Sequence, residues 1–239
     1  MFDIDSTLAP PNEPIENSVI QRLKQFEKQG IFIGLISGKP ISYISGLARQ
    51  SGLERPILVG ENGGVIHYSA KFPPERSFIT FTINKKAFEE LKKIQDQINA
   101  KFTGYIWVQP NLINYTIFPL DGRVKSDLFE YVEKIYSQHN TIVKYFTIYT
   151  HIDAIEIVPR SVNKGLALKY IKKSEKIKKN EIITVGDGEN DLPMMKESGY
   201  SIGINMPLAK INVRNINEAL KSIAKIGEGL GHEWNHVIK

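Results

Sequence analysis

Residues 31–36 read Ile-Phe-Ile-Gly-Leu-Ile, an unbroken apolar run that ends at Ser37-Gly38. A strand buried on both faces of a parallel sheet has this pattern, because no position along it faces water. Ile57-Leu58-Val59 and Ile182-Ile183-Thr184-Val185 repeat it. Ahead of the first run, Ile15, Val19, Leu23 and Phe26 recur at helical spacing, and Gly30 can take the left-handed conformation that stops a helix. Helix and strand alternating in this way predict βαβ units and a parallel sheet.

The pattern changes after residue 66. A strand is predicted over Phe78–Ile83, then a helix with Phe88, Leu91, Ile94 and Ile98 on one face, then strands over Tyr105–Val108 and Ile113–Phe118. A second round follows, with a helix carrying Leu128, Val132 and Ile135 and strands over Ile142–Tyr149 and Ala154–Val158. Several of these strands alternate apolar with polar, as half-exposed antiparallel strands do. The expectation is an inserted α+β domain over residues 67–158, with residues 1–66 and 159–239 forming one discontinuous core. Pro73-Pro74 and Pro159 would stiffen the two crossings, and Asn163 can cap a helix running through Ile171.

Composition narrows the function classes. At 239 residues and 41% hydrophobic, the chain can bury a core domain and a smaller insert. It lacks an apolar run of the roughly 18 residues a membrane span needs, and its start lacks the order of a signal peptide, so a cytoplasmic protein is expected. Zero cysteines remove thiol catalysis and thiolate metal sites, leaving oxygen or imidazole for any metal. The net charge of +5 raises nucleic-acid binding as a hypothesis, together with Tyr105, Trp107 and Tyr115. The lysines are dispersed, however. Their densest cluster, Lys169–Lys179, reads as the wet face of a helix, and the aromatics read as sheet packing. His232, Glu233 and His236 imitate the spacing of helical zinc ligands, but a glycine-rich approach assigns them to a tail.

Four short segments carry the chemistry. Asp3-Ile4-Asp5-Ser6-Thr7 puts two carboxylates two residues apart after the first strand. One could attack phosphorus and the other could carry a proton to the leaving oxygen. Alone, such a pair is more often a turn or a helix cap. Gly186-Asp187-Gly188-Glu189-Asn190-Asp191 follows an apolar strand with clustered oxygen donors, which suit a hard ion such as Mg²⁺. Ser37-Gly38-Lys39 and Lys164-Gly165 add a hydroxyl, backbone amides and ammonium groups, the means of binding a phosphate. Each of the four sits at a strand end or helix start, where open α/β sheets bind ligands.

In this order the four segments resemble the motifs of the haloacid dehalogenase superfamily phosphatases. Asp-x-Asp-x-Thr matches Asp3 to Thr7, the Ser after a strand matches Ser37, the Lys matches Lys164, and Gly-Asp-x-x-Asn-Asp matches Gly186 to Asp191. The resemblance implies an α/β fold: a Rossmann-like parallel-sheet core with an inserted α+β cap. It also implies a phospho-aspartate on Asp3, acid/base work by Asp5, and Mg²⁺ held by Asp3, the Asp5 carbonyl and Asp187, with Asn190 and Asp191 in support. Lys164 would serve catalysis and phosphate binding, and Thr7, Ser37, Gly38, Lys39, Asn62 and Asn190 would line the phosphate site. The insert, and Glu61-Asn62-Gly63-Gly64 before it, are similar to the IIB branch, with its sugar phosphatases and archaeal phosphoglycolate phosphatases. In that branch the cap closes over the site and selects the substrate.

The expected partner is a small phosphorylated metabolite, with a homodimer compatible. Rival readings are a sugar phosphomutase of the same superfamily and a phospho-aspartate signalling module. The latter has no use for the Asp187–Asp191 cluster. Two departures stand out: Ser6 replaces the usual glycine, and only Met1 and Phe2 precede Asp3. Either the true start lies upstream or the first strand is short.

Overall fold

The computed structural model describes residues 1–71, 73–80 and 84–229. The chain opens with helix α1 (Asn17–Lys28), strand β1 (Gly34–Ile36), helix α2 (Ile41–Gln50) and strands β2 (Ile57–Gly60), β3 (Val65–Tyr68) and β4 (Arg76–Ile79). Next come α3 (Lys85–Lys101), β5 (Ile106–Val108), β6 (Tyr115–Pro119), α4 (Lys125–Gln138), α5 (Asn140–Tyr145), β7 (Phe146–Thr150) and β8 (Ile155–Pro159). The last stretch holds α6 (Lys164–Glu175), β9 (Ile183–Gly186), α7 (Leu192–Lys196), β10 (Tyr200–Ile204), β11 (Ile211–Val213) and α8 (Ile216–Gly229).

These elements form two compact units, Met1–Thr80 with Asn163–Lys239, and Phe81–Val162. In the first, β1 and β2 pair in parallel, as do β9, β10 and β11. The two ribbons are joined through Phe2, which bridges Leu35 on β1 and Val185 on β9. The first strand is therefore reduced to a bridge. Gly30 has φ 87° and donates to the Glu27 carbonyl, ending α1 in the left-handed cap its position predicts. Asn163 accepts from Leu166 N at 2.9 Å and so caps α6 as expected. β1, β2 and β9 are buried along their whole length, as the apolar runs predict, but Phe32 of the first run precedes β1 and is 41% exposed. β1 itself is shorter than the 31–36 run, because only its last three residues pair with β2.

The first unit extends further into the chain than a boundary at 67 would place it. β3 pairs antiparallel with β2, and β4 antiparallel with β3, continuing the same sheet to Ile79. Of the strand expected over 78–83, residues 81–83 lie outside the described residues, as do His232, Glu233 and His236.

The second unit is an antiparallel sheet, β5-β6-β8-β7, with α3, α4 and α5 on one face. Leu91, Ile94 and Ile98 of α3 and Leu128, Val132 and Ile135 of α4 pack on Tyr115, Ile117, Ile155 and Ile157, the alternate residues of β6 and β8. Ile142–Tyr149 is not one strand. Its first part is α5, from which Ile142 enters that core, and the strand begins only at Phe146. Tyr115 is buried as predicted, but Tyr105 and Trp107 are 53% and 48% exposed, Trp107 keeping Phe118 as its ring neighbour. Replacing Ile117, which is fully buried, with Ala should cost about 2–5 kcal/mol. Amide exchange should accelerate in β6 and β8 and stay unchanged in β9 and β10; unchanged exchange throughout would contradict this packing.

Candidate active site

The carboxyl ends of the parallel strands gather the candidate residues. Phe2 sits between β1 and β9, and Asp3 follows it, its N–H donating to the Val185 carbonyl at 2.9 Å. Ser37 is the first residue after β1, and Asp187 the first after β9. Lys164 opens α6, whose start is fixed by the Asn163 cap. Gly165 lets α6 approach α7 closely, since a methyl group there would lie 2.5 Å from the Pro193 carbonyl oxygen.

At the centre, the Lys164 ammonium donates to Asp3 Oδ1 at 2.5 Å and to Asp191 Oδ1 at 2.7 Å, and Lys164 is 1% exposed. Asp191 Oδ2 accepts from the N–H groups of Asp187 and Gly188 at 3.0 and 3.1 Å, so both its oxygens are engaged. Asp191 thus holds the loop shut and holds Lys164 in place. Thr7 Oγ1 donates to Asp187 Oδ1 at 2.9 Å, tying the first segment to the last.

Burial sets the charges. Loss of water raises the Asp3 carboxyl to about 7; Lys164 opposes that shift, and the Asp191 and Asp187 charges reinforce it. Burial by itself would lower Lys164, but Asp3 and Asp191 outweigh it and keep the ammonium above its usual range. Asp187 is raised, chiefly by burial. Three carboxylates around one ammonium leave uncompensated negative charge. Asp3, Asp187 and Asp191 each bring an oxygen within 4.8 Å of the others. Clustered hard oxygens with excess negative charge fit a divalent cation of the magnesium kind. With both Asp191 oxygens engaged, the free donor capacity lies mainly on Asp3 and Asp187.

The remaining candidates form the rim. The Asp5 carboxylate stands apart from the acidic cluster and faces the Lys39 ammonium at 3.5 Å, both side chains 31% exposed. Ser37 is buried, and its Oγ accepts from Lys39 N at 3.2 Å. A methyl group on Gly38 would meet the Asn62 amide at 3.2 Å, so Asn62 lies against the Ser37–Lys39 loop. Asn190 is exposed, with its amide oxygen close over Gly188. Ser6 has φ 61°, the left-handed conformation a glycine adopts freely, and its N–H donates to Ala9 O at 2.7 Å. That substitution costs backbone strain and leaves the turn intact.

Two features escaped the sequence reading. Glu61 is fully buried in a turn of positive φ beside the Ser37 loop, a feature its neighbours Asn62-Gly63-Gly64 could have signalled. On the face of the second unit's sheet away from its helices, Thr116 Oγ1 and Asn114 Nδ2 donate to a buried Glu156 at 2.9 and 3.3 Å. The alternation of Asn114 and Thr116 with Ile113, Tyr115 and Ile117 carries that signal.

No helix among the described residues is long and apolar enough to cross a membrane. A phosphoglycolate phosphatase of Thermoplasma volcanium is 26% identical, over 98% of this chain and 96% of its own length. One from Methanopyrus kandleri is 24% identical, over 95% and 91%. The crystal structure of a haloacid dehalogenase-like hydrolase from Bacteroides thetaiotaomicron superposes with a TM-score of 0.76 at 16% identity, covering 94% of this chain and 97% of that one, and so shares the fold. The family model for haloacid dehalogenase-like hydrolases matches residues 1–153 and 117–225, a span that includes all four segments. The chain belongs to the haloacid dehalogenase-like hydrolases and is a phosphatase of that superfamily.

Proposed function

We propose that this phosphatase hydrolyses a small phosphomonoester, phosphoglycolate or a sugar phosphate, with Mg²⁺ as cofactor and Asp3 as nucleophile. The observation that carries the reading is the Lys164 ammonium held at 2.5 Å from Asp3 and 2.7 Å from Asp191 at the carboxyl end of the sheet. An ammonium so fixed can orient Asp3 and offset the charge of an incoming phosphate. The names of the curated relatives favour phosphoglycolate as the first ester to test.

In the proposed cycle an Asp3 oxygen attacks phosphorus, forming the carboxyl–phosphate bond as the ester P–O bond breaks. Asp5 gives its proton to the departing oxygen. Asp5 then takes a proton from the water that attacks phosphorus, releasing phosphate and restoring Asp3. Lys164, Ser37 Oγ and the amides of Gly38 and Lys39 hold the phosphoryl oxygens, while Asn62 supports that loop and Asn190 the Gly188 turn. Mg²⁺ on Asp3, Asp187 and the Asp5 carbonyl would neutralise phosphate charge, so that two anions can meet. Asp191 serves as the anchor of that site. Selection among esters is assigned to the insert, as the family resemblance implies.

The test is phosphate release from a panel of phosphomonoesters with Mg²⁺ or EDTA. Release only with the metal supports the reading, and equal release in EDTA contradicts it. A mutase would instead isomerise a sugar phosphate with little free phosphate. Mg²⁺ should also raise the melting temperature, by about 2.7 kcal/mol of stabilisation at a hundredfold excess over its Kd. Asp187→Asn should abolish most of that gain.

A further inference from the structure

Glu61, Asn62 and Gly63 are consecutive residues with φ of 54°, 57° and 107°. Two of them carry side chains, so the surroundings must hold this turn in a conformation it would not adopt alone. Those surroundings include the catalytic segments themselves. Glu61 N–H donates to the Lys39 carbonyl and Asn62 N–H to the Ser37 carbonyl, each at 3.0 Å. On its other side, the Gly63 α-carbon rests on the start of α6. A methyl group there would overlap the Asn163 carbonyl oxygen and lie 2.7 Å from its carbon and 3.1 Å from Lys164 N. Thr80 closes the turn from behind, its Oγ1 donating to Gly63 O at 2.7 Å and its N–H to Gly64 O at 3.0 Å. Thr80 is the last residue of the first unit before the insert and Asn163 the first after it, so both crossings are anchored on this turn.

We infer that the Glu61–Gly63 turn is the spacer that fixes Lys164 relative to Ser37, with Gly63 as the positioning residue that sets the separation. The inference rests on the phosphatase reading for its kinetic consequence, though not for its geometry. Ser37 and Lys164 come from segments far apart in the chain, and this turn touches the loop of one and the helix start of the other. Any side chain at 63 must displace the Asn163–Lys164 peptide, which moves the ammonium away from Asp3 and Asp191.

The experiment compares Gly63→Ala with Gly52→Ala. Gly52 has φ 65°, so alanine there also meets a positive-φ penalty, smaller than at 107°, and its nearest neighbour is the movable end of Lys24 at 3.2 Å. Both variants should melt lower. Only Gly63→Ala should lose kcat, by about 10²-fold, the scale expected of a small misplacement, with KM changed far less. A folded Gly63→Ala enzyme with wild-type kcat would overturn the inference. If Gly63→Ala does not fold, Thr80→Val decides: it removes the hydroxyl on Gly63 O and should lower kcat, with Thr80→Ser restoring it, whereas wild-type kcat in Thr80→Val would overturn the inference. Nitrogen-labelled lysine spectra give a readout independent of turnover. The protected Lys164 ammonium signal should be lost in Gly63→Ala and kept in Gly52→Ala; its retention in a folded Gly63→Ala overturns the geometry. Wild-type protein that releases no phosphate from any ester would refute the phosphatase reading instead.

Discussion

Asp3→Asn should remove turnover, lowering kcat by roughly 10⁴-fold or more, while the protein stays folded. An amide of the same shape cannot form the carboxyl–phosphate bond, and its neighbours Lys164 and Val185 keep their geometry. The stability consequence has a definite sign. Burial raises Asp3 from 3.8 to about 7, so between those values the folded protein binds a proton that the unfolded chain has lost. Stability of the metal-free wild type therefore falls as pH rises through that window, because ionising Asp3 disfavours the fold. Asn carries no such charge. Melting temperatures in EDTA, measured below and above the window, should show the wild type losing ground to Asp3→Asn as pH rises. Parallel melting curves would show that Asp3 is not held in this environment.

Lys164→Met should damage stability most and cost rate as well. The ammonium is 1% exposed and is bonded to both Asp3 and Asp191. Removing it leaves two buried carboxylates with their counter-charge gone, a loss of about 3–5 kcal/mol when one partner of a buried pair is deleted. The charge it would set against the phosphoryl group is lost as well, worth about 10²–10³ in kcat. Arginine should not rescue, because its planar fork is larger and cannot present one compact charge to two carboxylates in a closed site. Thermal melts and steady-state kinetics check both effects. A variant that melts and turns over like the wild type would remove Lys164 from the account.

Much of this was legible in the sequence because local rules and tertiary structure agree. Runs such as Ile57–Val59 have no polar position to expose, so they fit only a doubly covered strand, and Asn163 and Gly30 do locally what their chemistry prescribes. The exceptions share a physical reason. Ile142–Tyr149 has strand-like β-branched composition, yet its first part is helical and buries Ile142 in the core, tertiary packing overriding local propensity. β3 and β4 look like the start of the insert, but only their pairing partners show that they extend the core sheet. In the site, the motif residues could be read from their types, whereas the roles of Asp191 as anchor and Gly63 as spacer depend on which atoms approach them in three dimensions.

The most direct measurement is to trap the covalent state on Asp3. The enzyme would be mixed with its best phosphomonoester and Mg²⁺, quenched within a turnover, treated with borohydride and mapped by peptide mass. Borohydride reduces an acyl phosphate to an alcohol, so the account predicts homoserine at position 3 in the substrate-treated sample and unmodified Asp3 without substrate. Turnover that leaves Asp3 unmodified, or reduction at Asp5, Asp187 or Asp191 instead, would contradict it.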